Sequence, residues 1–289
     1  MGRGVMTQFD YVKPTSLEHL VHELSQVRSL GAILAGGTDL LVKIRGGMRS
    51  HRVLFDVNDL QDLIGIEDKG DFVRIGACTR IREVGESETI KSFVPFLASA
   101  ANQLGSPQIR NRATIGGNII SASPAADTVL PLMASGAKIR LKGAHWEREI
   151  VLDDFMKGPG QTDIREGEVL VEINIPKLGP TCRNHFLKVG RRRAMAISVV
   201  NLAGWMKKNG NGIIDDVRIV LGADAPTALR AKKAETFLRG KPCTEEVLRE
   251  TARIASSECQ PINDIRATEF GRRLLVEAWT YRLLRVLSS

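Results

Sequence analysis

The stretch Ala32-Ile33-Leu34-Ala35-Gly36-Gly37-Thr38-Asp39 decides the fold: a short apolar strand runs straight into a glycine doublet. A second apolar segment, Leu40 to Ile44, follows and stops at Gly46-Gly47. The arrangement recurs at Thr114-Ile115-Gly116-Gly117-Asn118, again after a β-like segment. Glycine permits positive φ and close approach of the backbone to a ligand. Consecutive N–H groups in such a turn form an anion-binding nest. The segment after the first doublet, if helical, adds a helix N-terminus that favours negative charge. A lone Gly-Gly is most often only a turn, but two nests converging from separate segments fit the two phosphates of a dinucleotide. Neither doublet matches G-x-G-x-x-G or G-x-x-x-x-G-K-[ST], so Rossmann and P-loop readings are not supported. The residues alone carry the reading as far as a candidate dinucleotide site.

Working outward, Thr15-Ser16 caps a helix with Leu17, Leu20, Val21, Leu24 and Val27 at helical spacing, ended by Gly31. Val53–Val57 reads as a strand, which makes the first part an α/β unit of helices and parallel strands. Strands are expected at 72–76, 138–141 and 169–175, and a helix from Phe93 to Leu104. The cluster from Pro176 to Pro180 marks a domain boundary. Beyond it, strands at 199–206 and 213–221 flank Asn209-Gly210-Asn211-Gly212, a hairpin signal. Helices follow at 231–238, 245–259 and from Thr268 onward. The expected domains are 1–178, with subdomains of about 1–57 and 58–178, and 179–289.

The chain has 289 residues, 43% of them hydrophobic, which excludes global disorder and favours two domains over one. No signal peptide is visible, and no stretch is apolar enough to span a membrane, so a soluble cytoplasmic protein is expected. Cys78, Cys182, Cys243 and Cys259 form no C-x-x-C pair, which leaves no zinc ribbon or local iron–sulfur motif and no metal site. The formal charge of +8 raises nucleic acid as a partner. The charge is scattered, however, the densest run is only Arg191-Arg192-Arg193, and aromatics for base stacking are few. A solvated basic surface, or one meeting an acidic partner, is the better reading.

In their flanks, the two doublets resemble the FAD-binding medium subunit of molybdenum hydroxylases, the family of bacterial xanthine dehydrogenases and aerobic carbon monoxide dehydrogenases. The resemblance runs through Phe9-Asp10-Tyr11 with Pro14, AGGTDLL (35–41), GSPQIRNRATIGGNIISASPAAD (105–127), Phe155 with GPG (158–160), EVLVEINIP (168–176), FLKVGRRRAMAIS (186–198) and GADAPTALR (222–230). GPG and RRRAMAIS draw it toward the xanthine-dehydrogenase-like branch. The resemblance implies an α+β protein: a vanillyl-alcohol-oxidase-type FAD-binding fold of two α/β subdomains, plus a C-terminal domain of three-stranded antiparallel sheet and helices.

It also implies site residues. Ala35, Gly36, Gly37, Thr38 and Asp39, with Thr114, Ile115, Gly116, Gly117 and Asn118, match the loops that clamp the FAD pyrophosphate. Leu34 and Leu40 flank the first loop. Ser123 and Asp127 match positions bonded to the flavin or its ribityl chain, and Val169 and Leu170 match apolar contacts at the adenine end. Lys188 matches a lysine beside the isoalloxazine, where positive charge stabilises the anionic reduced flavin. Leu104, Ile120 and Ser121 complete the cofactor-contact set. Taken from the residues themselves, Asp127 is equally a helix cap and Lys188 a surface strand lysine.

No catalytic acid–base or nucleophilic residues are expected, because His19, His22, His51, His145 and His185 do not cluster. FAD is expected to be non-covalent. Hydroxylation in the family occurs at a molybdopterin cofactor on a large subunit, and electrons reach the flavin through 2Fe–2S clusters on a small subunit. They then pass to an acceptor, often NAD+. The stretch Arg191–Ser198 lacks the acidic residue often found near the flavin in xanthine-dehydrogenase-like relatives, which bears on the acceptor. The alternatives are a stand-alone FAD oxidoreductase of the same fold, the FAD subunit of a carbon monoxide dehydrogenase-like complex, and a basic nucleic-acid or scaffold protein.

Overall fold

The structure, a computed structural model, describes residues 9–48, 51–192 and 195–289. The first unit is a parallel sheet of β1 (Asp10–Val12), β3 (Val53–Asp56) and β2 (Gly31–Leu34), with β3 central. Helix α1 (Leu17–Val27) begins where Ser16 Oγ accepts the His19 N–H at 3.1 Å. Its apolar face, Leu17, Leu20, Val21 and Leu24, packs against Phe55, Val57, Val169 and Val171. Strand β2 leads through the first glycine doublet into α2 (Leu40–Arg45).

The second unit carries a five-stranded antiparallel sheet in the order β4 (Ile66–Asp68), β5 (Phe72–Gly76), β10 (Val169–Pro176), β6 (Lys138–Lys142), β7 (Glu147–Val151). Helices α3 (Ile81–Glu86), α4 (Glu88–Phe93), α5 (Pro95–Gln103), α6 (Pro107–Arg110), α7 (Ile115–Ile120) and α8 (Val129–Ser135) lie between β5 and β6. The expected helix over 93–104 is divided, because Pro95 starts a new helix at its first position and Val94 between them is non-helical. Helix α8 ends on Gly136 at φ +71, where the Ala137 N–H reaches back to Leu132 O at 2.9 Å. A short helix α9 (Leu152–Phe155) and a two-stranded ribbon, β8 (Met156–Gly158) with β9 (Gln161–Thr162), complete the unit.

The C-terminal unit holds β11 (Cys182–Gly190), β12 (Ser198–Lys208), β13 (Ile214–Gly222) and β14 (Leu229–Arg230), then α10 (Lys232–Leu238), α11 (Glu245–Glu258) and α12 (Glu269–Ser288). Its sheet has four antiparallel strands, not three. The fourth, β14, has two residues, too few to leave an alternating signature in the sequence. Strand β12 is buried along nearly its whole length and carries apolar side chains to both faces, with Ser198 and Asn201 as buried polar exceptions. One face of this sheet packs Val200, Leu202, Ile219 and Leu221 against the final helices. The other sends Phe186, Ala203, Trp205 and Val220 into the core of the second unit. Trp205 Nε1 fixes that join by donating to Ala134 O at 2.7 Å.

Candidate functional site

The two glycine doublets meet along one cleft of about 610 Å3. The first is a turn between β2 and α2 with Gly37 at φ +70. Gly36 is forced by a close approach: a Cβ there would lie 2.2 Å from Arg112 O and 2.8 Å from Ala113 Cα. Among the described residues no intramolecular bond engages the amides of Gly36, Gly37, Thr38 or Asp39, so this loop presents a row of free donors. Asn58 holds it from behind, donating Nδ2 to Ala35 O at 2.9 Å while its Oδ1 accepts from Arg80 Nη2 at 2.6 Å.

The second doublet departs from the expected nest. It lies inside the first turn of α7 with neither glycine at positive φ. Its amides are already engaged: Ile115 with Thr79 O, Gly116 with Ala77 O, Gly117 with Thr114 Oγ1 and Asn118 with Thr114 O. Gly116 is glycine for packing, since a Cβ would meet Ala77 and Leu170 at 2.7 to 2.8 Å. Gly117 faces the cleft, with only Thr114 Oγ1 near a built Cβ. Asn118 Oδ1 accepts from the Thr128 hydroxyl at 2.7 Å, which leaves its side-chain nitrogen as a donor at the cleft wall. Asp39 ties the two walls, accepting from Lys43 Nζ at 2.6 Å and from Ser121 Oγ at 3.0 Å.

Ala35, Gly36, Gly37, Thr38, Asp39, Leu40, Leu104, Thr114, Gly117, Asn118, Ile120, Ser121 and Ser123 line the cleft. Leu34, Ile115, Gly116, Val169 and Leu170 stand behind it. Ile115 and Leu170 belong to the core of the second unit and Val169 to the core under α1, while Leu34 lies against Gly37. Asp127 and Lys188 are paired with each other at 2.5 Å, both side chains less than a tenth exposed. Asp127 also accepts from Ser198 Oγ and Asn201 Nδ2 at 2.9 Å, and Lys188 donates to Gln103 O at 3.0 Å. Asp127 therefore does not cap α8. Burial pushes its carboxyl above the ordinary range, with Lys188 pulling the other way. Within the stretch matching RRRAMAIS, Arg193 and Ala194 lie outside the described residues.

The far end of the cleft was not foreseen. It is built by Arg28, Ser29, Gly31, Ala32 and Ile33 opposite Ile164 to Glu168. Arg28 sits at φ +49, and the Ser29 N–H donates to Glu166 Oε1 at 2.8 Å across 137 residues of sequence. Beneath it Glu168 is buried with Arg148 at 2.8 Å; burial raises its pKa, but Arg148 and the Arg165 amide outweigh that and hold it low. Ala32, Ile33 and Glu168 lie in stretches the sequence singled out, but nothing there marks Arg28, Ser29 or Glu166, whose proximity is created by the tertiary fold. Among the described residues no group of His, Cys, Asp or Glu could hold a metal, and no helix is long and apolar enough to cross a membrane. Burial lifts the Cys78 thiol to about 12, so it is unreactive.

A cleft between a parallel three-stranded sheet and an antiparallel five-stranded one, with a free-amide loop on one wall, has the build of a dinucleotide-binding site. Residues 7–178 match the family described as the FAD binding domain in molybdopterin dehydrogenase, and residues 185–287 match the CO dehydrogenase flavoprotein C-terminal domain. The chain belongs to this family of FAD-binding oxidoreductase subunits. It is 34% identical over 283 residues to the carbon monoxide dehydrogenase medium chain of Hydrogenophaga pseudoflava, covering 94% of this chain and 97% of the relative. It is 29% identical to the xanthine dehydrogenase FAD-binding subunit of Escherichia coli O157:H7, with 87% of each covered. A solved structure of the Hydrogenophaga pseudoflava carbon monoxide dehydrogenase superposes with a TM-score of 0.94 at 32% identity over 98% of both chains.

Proposed function

We propose that this chain is the electron-transfer subunit of a molybdenum hydroxylase complex. It would take electrons from 2Fe–2S clusters on a small subunit and pass them to an acceptor such as NAD+. The hydroxylating molybdopterin site would lie on a large subunit, and the assembly in the cytoplasm. The observation that carries the reading is the first glycine loop, with its amides free and aimed at one cleft. Bound FAD supplies the redox chemistry. This chain's residues bind and orient it. The amides of Gly36 to Asp39 would hold the pyrophosphate, with Thr38 and the Asn118 amide as side-chain donors. Gly117 leaves room for it, and Thr114, by bonding the Gly117 N–H, keeps that wall rigid. Leu40, Leu104 and Ile120 would give apolar contact, and Ser121 and Ser123 would meet the ribityl end. Ala35 shapes the loop. Leu34, Ile115, Gly116, Val169 and Leu170 would act from behind the wall as its packing.

The Lys188 charge is largely balanced by Asp127, so it would stabilise an anionic reduced flavin less than a free lysine would. We would divide the chain at 178/179, with a subdomain boundary near 57/58; the support for it is that both points fall between strands of different sheets. The acceptor is the finer point: no acid is present in the sequence from Arg191 to Ser198 to repel or attract a dinucleotide. The test is purification of the native complex with reduction of NAD+ and of an artificial dye compared side by side. Dye reduction without NAD+ reduction would remove NAD+ as the acceptor. An isolated chain that oxidised a small organic substrate unaided would favour the stand-alone flavoenzyme.

A further inference from the structure

The turn Ser121–Asp127 closes one side of the cleft and belongs in sequence to the FAD-binding domain, yet much of its anchorage comes from the C-terminal domain. Asp127 is held by Lys188, Ser198 and Asn201. Pro124 O accepts the Ala223 N–H at 2.8 Å. Ala223 is an alanine at φ +63, a left-handed conformation that alanine adopts only when its surroundings impose it.

The carbonyl of this residue is bonded by Arg272 on α12. This arginine is 1% exposed. Its Nη1 donates to Ala223 O and, at 3.1 Å, to Val199 O, and its Nη2 bonds Asp264 Oδ1 at 2.7 Å. A buried guanidinium is costly where its donors go unfilled; Arg272 Nε has no partner among the described residues, and two of the acceptors that the other nitrogens do find are carbonyls beside the turn's anchors. Val199 follows Ser198, whose hydroxyl grips Asp127, and Ala223 is itself the donor to Pro124. Arg266 adds a second arm, sharing Asp264 and reaching Ser198 O at 3.4 Å.

We infer that Arg272 is a positioning residue for the flavin cleft: it holds the left-handed Ala223 and the Val199 carbonyl, and through them seats the turn Ser121–Asp127, so that FAD affinity is set from a residue that does not line the cleft. The inference rests on the FAD site proposed above. FAD affinity of the full-length chain, followed by flavin fluorescence, tests it in four proteins: wild type, Arg272→Met, Ala223→Gly and the double variant. Arg272→Met is expected to weaken FAD by about tenfold. In the Ala223→Gly background, where glycine takes the left-handed conformation at no cost, the same change should weaken it by only about twofold. Val276→Ala, a buried change on the same helix, should lower thermal stability with FAD affinity unchanged. Equal losses in both backgrounds, no loss in either, or a matching loss in Val276→Ala would overturn the inference. If Arg272→Met does not fold, Arg272→Lys takes its place: it keeps a positive charge there but lacks the planar fork that reaches Asp264 through one nitrogen and the two carbonyls through the other. A wild-type chain that takes up no FAD would overturn the site reading, and the inference with it.

Discussion

The two glycine doublets look alike in sequence and do different work. Gly36-Gly37 is a turn whose amides are free and whose shape needs one positive φ. Gly116-Gly117 is helical, with its amides spent on Ala77 O and Thr114 Oγ1. The first is a cradle and the second a wall. The cradle is fixed from within its own domain, 1–178, through Asn58 and Arg80, whereas the turn beyond the wall is fixed by the C-terminal domain. A repeated motif is therefore no guide to a repeated role; which atoms remain unpaired decides.

The largest effect should come from breaking the cradle. Gly36→Val would drive a side chain into the Arg112 backbone, which cannot yield as a flexible side chain does. The expected cost is about 4 kcal/mol or more, with FAD uptake lost; thermal unfolding and flavin titration measure both. An unchanged melting point would show that the close approach to Arg112 is relaxed in solution.

On the wall's side, burial pushes the Asp224 carboxyl up to about 7 from an ordinary 3.8. An acid with a raised native pKa lends stability that is whole below about pH 4 and is lost as pH rises through about 7. Urea unfolding at about pH 5 and about pH 8 should therefore show the chain more stable at the lower value, by up to about 2.6 kcal/mol. Asp224→Asn should flatten that difference. A slope of the opposite sign that persisted in Asp224→Asn would place the controlling group elsewhere.

Lys188→Met strips the cation from buried Asp127 and should cost about 3 kcal/mol. Adding Asp127→Asn should recover part of it, because a neutral amide tolerates burial better than an unpaired carboxylate. Failure of the second change to help would mean that Ser198 and Asn201 suffice to hold the carboxylate.

The smallest stability change, and the sharpest contrast, is Gly117→Ala. Alanine is favoured over glycine in a helix by about 1 kcal/mol, offset by crowding against Thr114 Oγ1. Stability should stay within about 1 kcal/mol of wild type while FAD binding weakens, because the new methyl enters the cleft. Unaltered FAD affinity would remove Gly117 from the contact set.

Much of this was legible because it is local. Strand, Gly-Gly, helix at 31–45 is read from neighbouring residues, and so are the Ser16 cap and the hairpin at Asn209 to Gly212. The misreadings are tertiary. Gly116 announces itself as a turn glycine, but its reason is Leu170, distant in sequence and supplied by β10. Asp127 and Lys188 give no sign in the sequence of pairing with each other, and β11 brings them together across 61 residues. Arg28 and Glu166 carry no motif at all. Short β14 and the break at Pro95 moved element boundaries without altering the architecture.

The seam at Asp127 and Pro124 has one more implication. A turn written in one domain is bonded by the other, so the two halves are not interchangeable parts. Exchanging residues 185–289 for those of a relative would replace Lys188, Ser198, Asn201 and Ala223 together, and the hybrid would inherit its hold on the cofactor from the half that never touches the glycine loops. The seam thus makes the turn and the C-terminal strands one mechanical unit, and a change on either side of it is felt on the other.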